Sequence, residues 1–221
     1  MKSTIQSKTK LVNSVFNKVY KKYDLMNDIM SLGIHRIWKN KLIDWMNPQL
    51  NENLIDVASG TGDIARLFSK KNNNSTQITC VEPNNEMRSA GKSNLESFKN
   101  IKWHKAKAEK LPFKNDTYNF YTISYGIRNV SDINLSLKEA LRVLKPGGRF
   151  MCLEFSKIDN EIVNLIYQKY SKVIPLVGKY IAGSSEPYNY LIKSINEFYT
   201  QNELADLIKK NGFSNVEYRN L

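Results

Sequence analysis

Cysteine is scarce in this chain, which has two cysteines among 221 residues. Cys80 and Cys152 each lie in a predicted strand, with no other cysteine and no histidine nearby in sequence. We therefore expect them to be buried and reduced side chains, and not metal ligands or a disulfide pair. The sequence accordingly predicts no metal site.

Long apolar runs are also absent. No stretch of the sequence reaches the about 20 apolar residues that a membrane-spanning helix needs. The first residues, Met1–Lys10, are polar and have no apolar centre, so we do not expect a signal peptide. No internal repeat is evident, and a chain of 221 residues fits one large domain with a substantial core.

Acidic residues are outnumbered by basic ones, 21 to 33, which gives a net charge of +12. Such an excess suggests an anionic partner or surface, for example nucleic acid, acidic lipid or a phosphorylated ligand. A lysine-rich surface that is only solvated explains the same excess. The charge alone therefore does not choose between these partners.

The stretch Asn53–Asp63 is the centre of the chain's organisation. An apolar run leads to Gly60 and Gly62, and the amphipathic stretch Ile64–Lys70 follows, which predicts a strand, a tight loop and a helix. Glycine lets the backbone turn sharply and lets a ligand approach it, while the first amides of the helix point into the same space. Because Ala65 also fits a dinucleotide fingerprint, the loop alone does not separate a dinucleotide from S-adenosylmethionine.

Strand and helix patterns alternate along the rest of the chain. The strands predicted after the loop are Ile78–Val81, Ile101–His104, Tyr118–Ser124, Phe150–Phe155 and Val216–Tyr218. The alternation predicts an α/β fold with a mostly parallel sheet, helices on both faces, and ligands beyond the carboxyl ends of the strands. We divide the single domain 1–221 into an N-terminal helical segment for substrate and membrane (1–50), a cofactor-binding core (53–156), a helical lid (157–200), and a final helix and strand (201–221).

Polar residues collect at the predicted carboxyl edge of the sheet. Glu82 ends the second strand, where a carboxylate accepts hydrogen bonds from both ribose hydroxyls of a nucleotide. Asp56 is suited to orienting the loop amides or the amino group of a methionine moiety, and Asp63 is suited to capping the helix. Lys107, Ala108 and Glu109 follow the third strand, where an adenine ring would lie.

The segment Ser124–Asn129 follows the fourth strand and bears on the reaction. It contains neither the Pro-Pro-Tyr run expected of many amino-group DNA methyltransferases nor the Pro-Cys pair of cytosine C5 methylation. At this edge we expect Ser124 to face the cofactor, while Arg128 and Asn129 reach the substrate.

Two further stretches make a specific resemblance. The first is Tyr23–Trp38, which is dense in aromatic, Met and His residues and fits neither a helix nor a strand clearly. It contains the pattern Tyr-Asp-x-Met-Asn…His-x-x-Trp. The second is Arg142–Ser156, which contains Lys-Pro-Gly-Gly. Together with Asp56–Asp63 and Tyr121–Asn129, they resemble the ubiquinone/menaquinone biosynthesis C-methyltransferases (UbiE type), from about Phe16 to the end of the chain. The first stretch is the specific one, because Lys-Pro-Gly-Gly is common to many methyltransferases.

The resemblance implies a class I methyltransferase fold, S-adenosylmethionine as methyl donor, and a polyprenylated benzoquinol or demethylmenaquinol as acceptor. It implies cofactor binding at Thr61, Glu82, Lys107, Ala108 and Ser124, to which the loop adds Asp56, Gly60 and Gly62. Members often have Asp where Glu82 stands, and they continue past the position of Leu221 with an apolar strand. We therefore expect a sheet that lacks the last strand of the family, or a fragment.

Methylation of an aromatic carbon needs an electron-rich ring, which ionisation of a ring hydroxyl supplies. Arg128 is suited to stabilising the resulting phenolate because its guanidinium stays protonated. Tyr23, His35 or a water held by Asn129 is suited to removing the proton. The expected substrate contacts are His35, Trp38 and Tyr125. Purely structural roles are equally open for Tyr23, His35 and Trp38.

A polyprenylated quinol is almost insoluble in water, so the enzyme has to meet the bilayer. Lysines beside apolar residues in Leu11–Lys22 are suited to an interfacial helix, and Ile174–Ile181 is suited to an apolar mouth, although both segments are equally suited to packing on the sheet. We expect a cytoplasmic protein associated peripherally with the inner face of an anionic membrane. A homodimer or a quinone-biosynthesis complex is left open.

Two rival functions remain at this stage. A nucleic-acid methyltransferase is favoured only by the positive charge, and we expect no nucleic-acid partner. A non-catalytic scaffold of a quinone-biosynthesis complex is suggested only by the incomplete sheet.

Overall fold

The computed structural model describes residues 12, 14, 17, 23–157, 165, 167, 169–171, 174, 175, 180 and 185–221. Most of the predicted interfacial helix Leu11–Lys22 and of the predicted apolar mouth Ile174–Ile181 lies outside these residues.

Five parallel strands form one sheet in the described part of the chain, in the order β3-β2-β1-β4-β5. They are β1 (Leu54–Val57), β2 (Ile78–Val81), β3 (Ile101–His104), β4 (Tyr118–Ser124) and β5 (Leu144–Leu153). All four residues of the central strand β1 are buried, as expected for a strand covered on both faces. The predicted α/β fold is thus confirmed. The strand order reverses between β1 and β4, which is where such sheets bind ligands.

The helices with described bounds are α1 (Tyr23–Ser31), α2 (His35–Met46), α3 (Asp63–Lys71), α4 (Asn85–Asn94), α5 (Ile133–Val143), α6 (Glu186–Asn196) and α7 (Gln201–Lys210). Two of them begin at a side-chain cap, Asn84 for α4 and Asp132 for α5. The Asn84 side chain accepts a hydrogen bond from the Met87 amide at 3.0 Å, and the Asp132 side chain accepts one from the Leu135 amide at 3.0 Å. Each cap satisfies an amide that the helix itself leaves without a partner.

The core lies on both faces of the sheet, because successive side chains of a strand point to opposite sides. In β4, Tyr121 belongs to the cluster that also holds Leu137 of α5. Its neighbour Phe120 belongs to the opposite cluster, where its ring meets Phe68 of α3 edge to face at 5.9 Å. Strand β4 is therefore packed on both faces, and its carboxyl end leads directly into the segment Ser124–Asn129.

The segment Tyr23–Trp38 departs from the prediction, since it forms α1, a turn and the start of α2. Met26 and Met30, one helical turn apart, are buried and pack with Ile174 and Tyr188. Other apolar residues of the segment, such as Ile37, are exposed, which blurs the helical spacing in the sequence. The helix is therefore fixed by tertiary packing and not by a clean amphipathic pattern.

The predicted last strand, Val216–Tyr218, is absent, because residues 213–221 form no ladder. Val216 packs against the core and the ring of Phe213 lies 5.2 Å from that of Phe150 in β5. A strand needs a neighbouring backbone to bond to, and in the described residues β5 pairs only with β4.

Strand β5 begins earlier than predicted, at Leu144, and contains the Lys-Pro-Gly-Gly turn residues. Its pairing with β4 is irregular between Tyr118 and Phe120. Pro146 has no amide hydrogen, which an edge strand tolerates because one of its sides faces no ladder partner.

Candidate active site

A cleft opens at the carboxyl edge of the sheet, where the predicted site residues come together. Its main cavity of about 680 Å³ is lined, among others, by Gly60, Glu82, Lys107, Ala108, Tyr125 and Asn129. A small adjoining pocket of about 20 Å³ shares Ala58, Gly60 and Tyr125 with the main cavity. Asp56, Thr61 and Ser124 line this pocket. The structure therefore brings residues from four separate loops to one place.

The buried carboxylate of Glu82 organises the glycine loop. Its Oε2 accepts a hydrogen bond from the Gly60 amide at 2.9 Å, and its Oε1 accepts one from the Asn84 amide at 2.9 Å. Burial raises the pKa of Glu82, while these two amide hydrogen bonds oppose the rise. Each oxygen keeps a second lone pair, so the carboxylate remains able to accept hydrogen bonds from two ribose hydroxyls.

Gly60 has a φ of 58°, a left-handed conformation that suits glycine. Gly62 has a φ of 89°, and a Cβ there would lie 2.5 Å from Leu95 and 3.1 Å from Trp103. Gly62 does not line either cavity. Gly62 therefore has a packing role, since only a residue without a side chain lets the loop settle on Trp103, and its expected contact with the cofactor stays a prediction.

Asp56 carries an unused acceptor beside the small pocket. Its Oδ1 accepts a hydrogen bond from Thr122 Oγ1 at 2.7 Å, whereas its buried Oδ2 has no hydrogen-bond partner among the described residues. The pKa of Asp56 is raised to about 7, and burial is the largest cause. The charge of Glu82 adds to the rise, whereas the Thr122 hydrogen bond and the charge of Lys39 oppose it. Buried acceptors are rarely left unsatisfied, so this oxygen is suited to an ammonium group of a ligand.

Lys39 is a site residue that the sequence did not reveal. It lies on α2, is 5% exposed, and places its Nζ 2.7 Å from Asp63 Oδ2. Although burial raises the pKa of Asp63, the ion pairs with Lys39 and Arg66 lower it overall. The predicted cap at Asp63 is wrong, because Gly62 occupies the cap position and Asp63 begins the helix. No local pattern marks Lys39, since 24 residues separate it from its partner.

Asn129 faces the main cavity from the turn after β4. Its side-chain oxygen accepts a hydrogen bond from the Tyr190 hydroxyl at 2.8 Å, and its side-chain nitrogen donates to the Tyr125 carbonyl at 3.3 Å. Tyr190 belongs to α6 and was not predicted. The turn and α6 are therefore joined at the point where the predicted substrate would lie.

Arg128 is oriented differently from the prediction. Its guanidinium pairs directly with Glu154 of the segment after β5, and its Nε donates to Ser194 Oγ of α6 at 3.3 Å. Both members of the ion pair are almost fully buried, and Arg128 lines neither cavity. A buried guanidinium needs an anionic partner, which explains why it turns to Glu154 and not toward the cavity.

His35 does not line either cavity. Its ring is buried, with Nε2 2.8 Å from Asp28 Oδ1, and burial lowers its pKa. The same carboxylate binds Arg36 at 2.8 Å. His35 thus ties α1 to α2, which is a structural role, and its expected substrate contact stays a prediction.

Aromatic rings lead from α2 to the cleft. Trp38 meets Phe155 edge to face at 5.9 Å, and Phe155 stacks on Tyr125 at 4.9 Å. Tyr125 lines both cavities, whereas Trp38 supports it one ring away. Tyr23 begins α1, and its side chain lies outside the described residues.

Comparison with known proteins gives a family match over nearly the whole chain. Residues 3–221 match the model of the ubiE/COQ5 methyltransferase family. A ubiquinone/menaquinone biosynthesis C-methyltransferase UbiE of Rickettsia bellii is 49% identical over 221 residues, covering 97% of this chain and 89% of that protein. A protein of the same description from Rickettsia rickettsii is 49% identical over 218 residues, covering 96% and 88%.

Solved structures show the same fold at low sequence identity. A methyltransferase of Thermotoga maritima that depends on S-adenosylmethionine aligns with a TM-score of 0.62 and 20% identity, covering 91% of this chain and 80% of that one. A phosphoethanolamine N-methyltransferase of Haemonchus contortus in complex with S-adenosylhomocysteine aligns with a TM-score of 0.59 and 14% identity, covering 80% and 37%.

The raised pKa of Asp56 makes cofactor binding depend on pH. The ammonium of S-adenosylhomocysteine favours the ionised carboxylate, so below a pKa of about 7 binding also has to ionise Asp56. We expect the affinity to rise with pH and level off above pH 7, by at most roughly tenfold per pH unit. Titration calorimetry across this range measures it. The variant Asp56→Asn should bind more weakly and lose most of the slope, while a flat wild-type profile would contradict the assignment.

Proposed function

Because the chain belongs to the ubiE/COQ5 methyltransferase family, we propose that it methylates a ring carbon of a quinol in ubiquinone or menaquinone biosynthesis. Family membership confirms the predicted methyltransferase class and S-adenosylmethionine as the methyl donor. The observation that carries the proposal is one cleft whose polar groups suit this cofactor and which Tyr125, backed by Phe155 and Trp38, borders on one side. A polyprenylated benzoquinol and demethylmenaquinol remain alternative acceptors.

The polar end has a binding group for each part of the cofactor. Glu82 receives the ribose hydroxyls, and the backbone at Lys107 and Ala108 borders the adenine. Asp56 Oδ2, buried and without a partner among the described residues, receives the ammonium. When bound, the cofactor supplies an electrophilic methyl group, and the chain contributes its position and the exclusion of water.

The acceptor ring lies beside Tyr125 and Asn129, which both line the main cavity. The amide of Asn129 is held by Tyr190 and so keeps a fixed direction toward the ring or a water on it. Arg128 contributes a buried positive charge behind this turn, balanced by Glu154. We therefore propose that Arg128 and Glu154 act together on the developing phenolate, because they hold the turn and α6 against the acceptor ring.

We also propose attachment of the protein to the inner face of an anionic membrane, from which a polyprenylated substrate enters. Support comes from the apolar turn, defined here as Leu32, Ile34 and Ile37, of which Leu32 is 72% and Ile37 is 56% exposed. The net charge of +12 favours acidic lipid. None of the helices in the described ranges has the length and apolar character to cross a bilayer.

The family match favours this reaction over the two rival functions, a nucleic-acid methyltransferase and a non-catalytic scaffold. Association with a second copy or with other enzymes of quinone biosynthesis stays a prediction.

Direct assay tests the proposed reaction. The protein in detergent, with labelled S-adenosylmethionine and a demethylated benzoquinol or naphthoquinol, should transfer label to at least one quinol. The variant Gly60→Val should lose both binding and transfer, because a branched side chain then stands in the loop. Binding of the cofactor without transfer to either quinol, together with labelling of an oligonucleotide, would refute the proposal.

Arg128→Lys should lower turnover by roughly a hundredfold through misplacement of the turn that borders the substrate, while leaving S-adenosylhomocysteine binding nearly unchanged. A lysine still balances Glu154 but does not bond Glu154 and Ser194 at once through a planar fork. Single-turnover rates and calorimetry measure the two effects. Glu154→Gln serves as the matched partner variant and should lower turnover in the same way. Wild-type turnover of Arg128→Ala would show that the residue has no part in the reaction.

Liposome flotation tests the membrane proposal. The protein should float with acidic vesicles and much less with neutral ones, since each lysine near the surface adds about 1 kcal/mol of attraction. Ile37→Glu should reduce flotation by placing a charge in the apolar turn. Leu50→Glu is the control, because Leu50 is 66% exposed and lies beyond the other end of α2. Equal flotation of both variants, or of wild type on both lipids, would count against attachment through this turn.

A further inference from the structure

We infer that Lys39 binds the carboxylate of the cofactor's amino-acid end, so that the N-terminal helix α2 completes the cofactor site. The inference rests on the proposed function through its choice of S-adenosylmethionine. It assigns to Lys39 a contact that neither the glycine loop nor the core strands supply.

The placement of Lys39 is the first support. Its side chain is 6% exposed and yet lines the small pocket with Asp56, Thr61 and Ser124. An ammonium group has three donors, and among the described residues its one hydrogen bond goes to Asp63, at 2.7 Å. A carboxylate in the pocket is the natural acceptor for another of these donors.

The charges around the pocket are the second support. Glu82 and Asp63 both lie close enough to Asp56 for their charges to raise its pKa, and Asp56 and Asp63 both line the pocket. An amino-acid end carries both an ammonium and a carboxylate. With the ammonium on Asp56 Oδ2, the ligand's carboxylate would lie among acidic side chains unless a cation meets it. Lys39 is the basic side chain among the residues that line this pocket.

The position of Lys39 on α2 gives the contact a wider consequence. Trp38, the preceding residue, supports Phe155 and through it Tyr125 at the substrate end. A carboxylate bound by Lys39 therefore also stabilises the helix that shapes the aromatic side of the cleft. Cofactor binding and substrate binding are then coupled through α2.

Two ligands that differ in the carboxylate test the contact. Calorimetry compares S-adenosylhomocysteine with its decarboxylated analogue, which keeps the ammonium, on wild type, Lys39→Met and Lys39→Arg. We expect wild type to prefer the carboxylate ligand, and Lys39→Met to lose roughly tenfold to a hundredfold in affinity for that ligand only. Lys39→Arg keeps the positive charge that pairs with Asp63, so it should recover part of the preference for the carboxylate ligand. Such a recovery would show that the loss in Lys39→Met does not come from misfolding.

Lys71→Met is the matched control, because Lys71 joins the same two helices through Asp44 at 3.0 Å on the surface. It should leave both affinities unchanged. If Lys39→Met loses affinity for both ligands equally, Lys39 only holds α2 to α3, and the inference is overturned; no loss at all overturns it too. If the carboxylate preference depends on Lys39 but no quinol is methylated, the inference stands and the proposed function falls.

Discussion

The buried carboxylate of Glu82 is the interaction on which the cleft depends. It accepts hydrogen bonds from the Gly60 amide, after β1, and from the amide of Asn84, the residue that caps α4. Burying a carboxylate costs free energy unless hydrogen bonds compensate it, so the glycine loop is held to Glu82. The same group that fixes the loop then remains able to bind a ribose.

A second constraint works at the other end of the cleft. Arg128 and Glu154 form a buried ion pair, and Arg128 also bonds Ser194, while Asn129 bonds Tyr190. Both Ser194 and Tyr190 belong to α6, so two polar contacts hold this helix over the turn that follows β4. Breaking such a pair leaves a charge buried without a partner, which makes the arrangement stiff even where it adds little net stability.

Between these two ends, α2 connects the polar and the aromatic sides of the site. Lys39 reaches the acidic pocket while Trp38, one residue earlier, reaches Phe155. Neighbouring residues of a helix point about 100° apart, so one helix is able to serve both sides. The core strands thus provide the cofactor edge, and the N-terminal helices complete it.

The sequence by itself determined the parallel sheet, the glycine loop with Glu82, and the family. Each of these follows from local periodicity or from short motifs, which are read within single stretches of the chain. The five strands, β5 only in its second half, followed from the same local signals. Only the tertiary structure decided that Arg128 turns to Glu154, that His35 binds Asp28, that Gly62 packs on Trp103, and that Lys39 enters the site. Three of these contacts join residues more than 20 positions apart in sequence. A buried charged group or ring contacts the partner that the tertiary fold places beside it, and local sequence does not identify that partner. The residues 213–221 form no strand for the same reason, since a strand exists only where another backbone lies beside it.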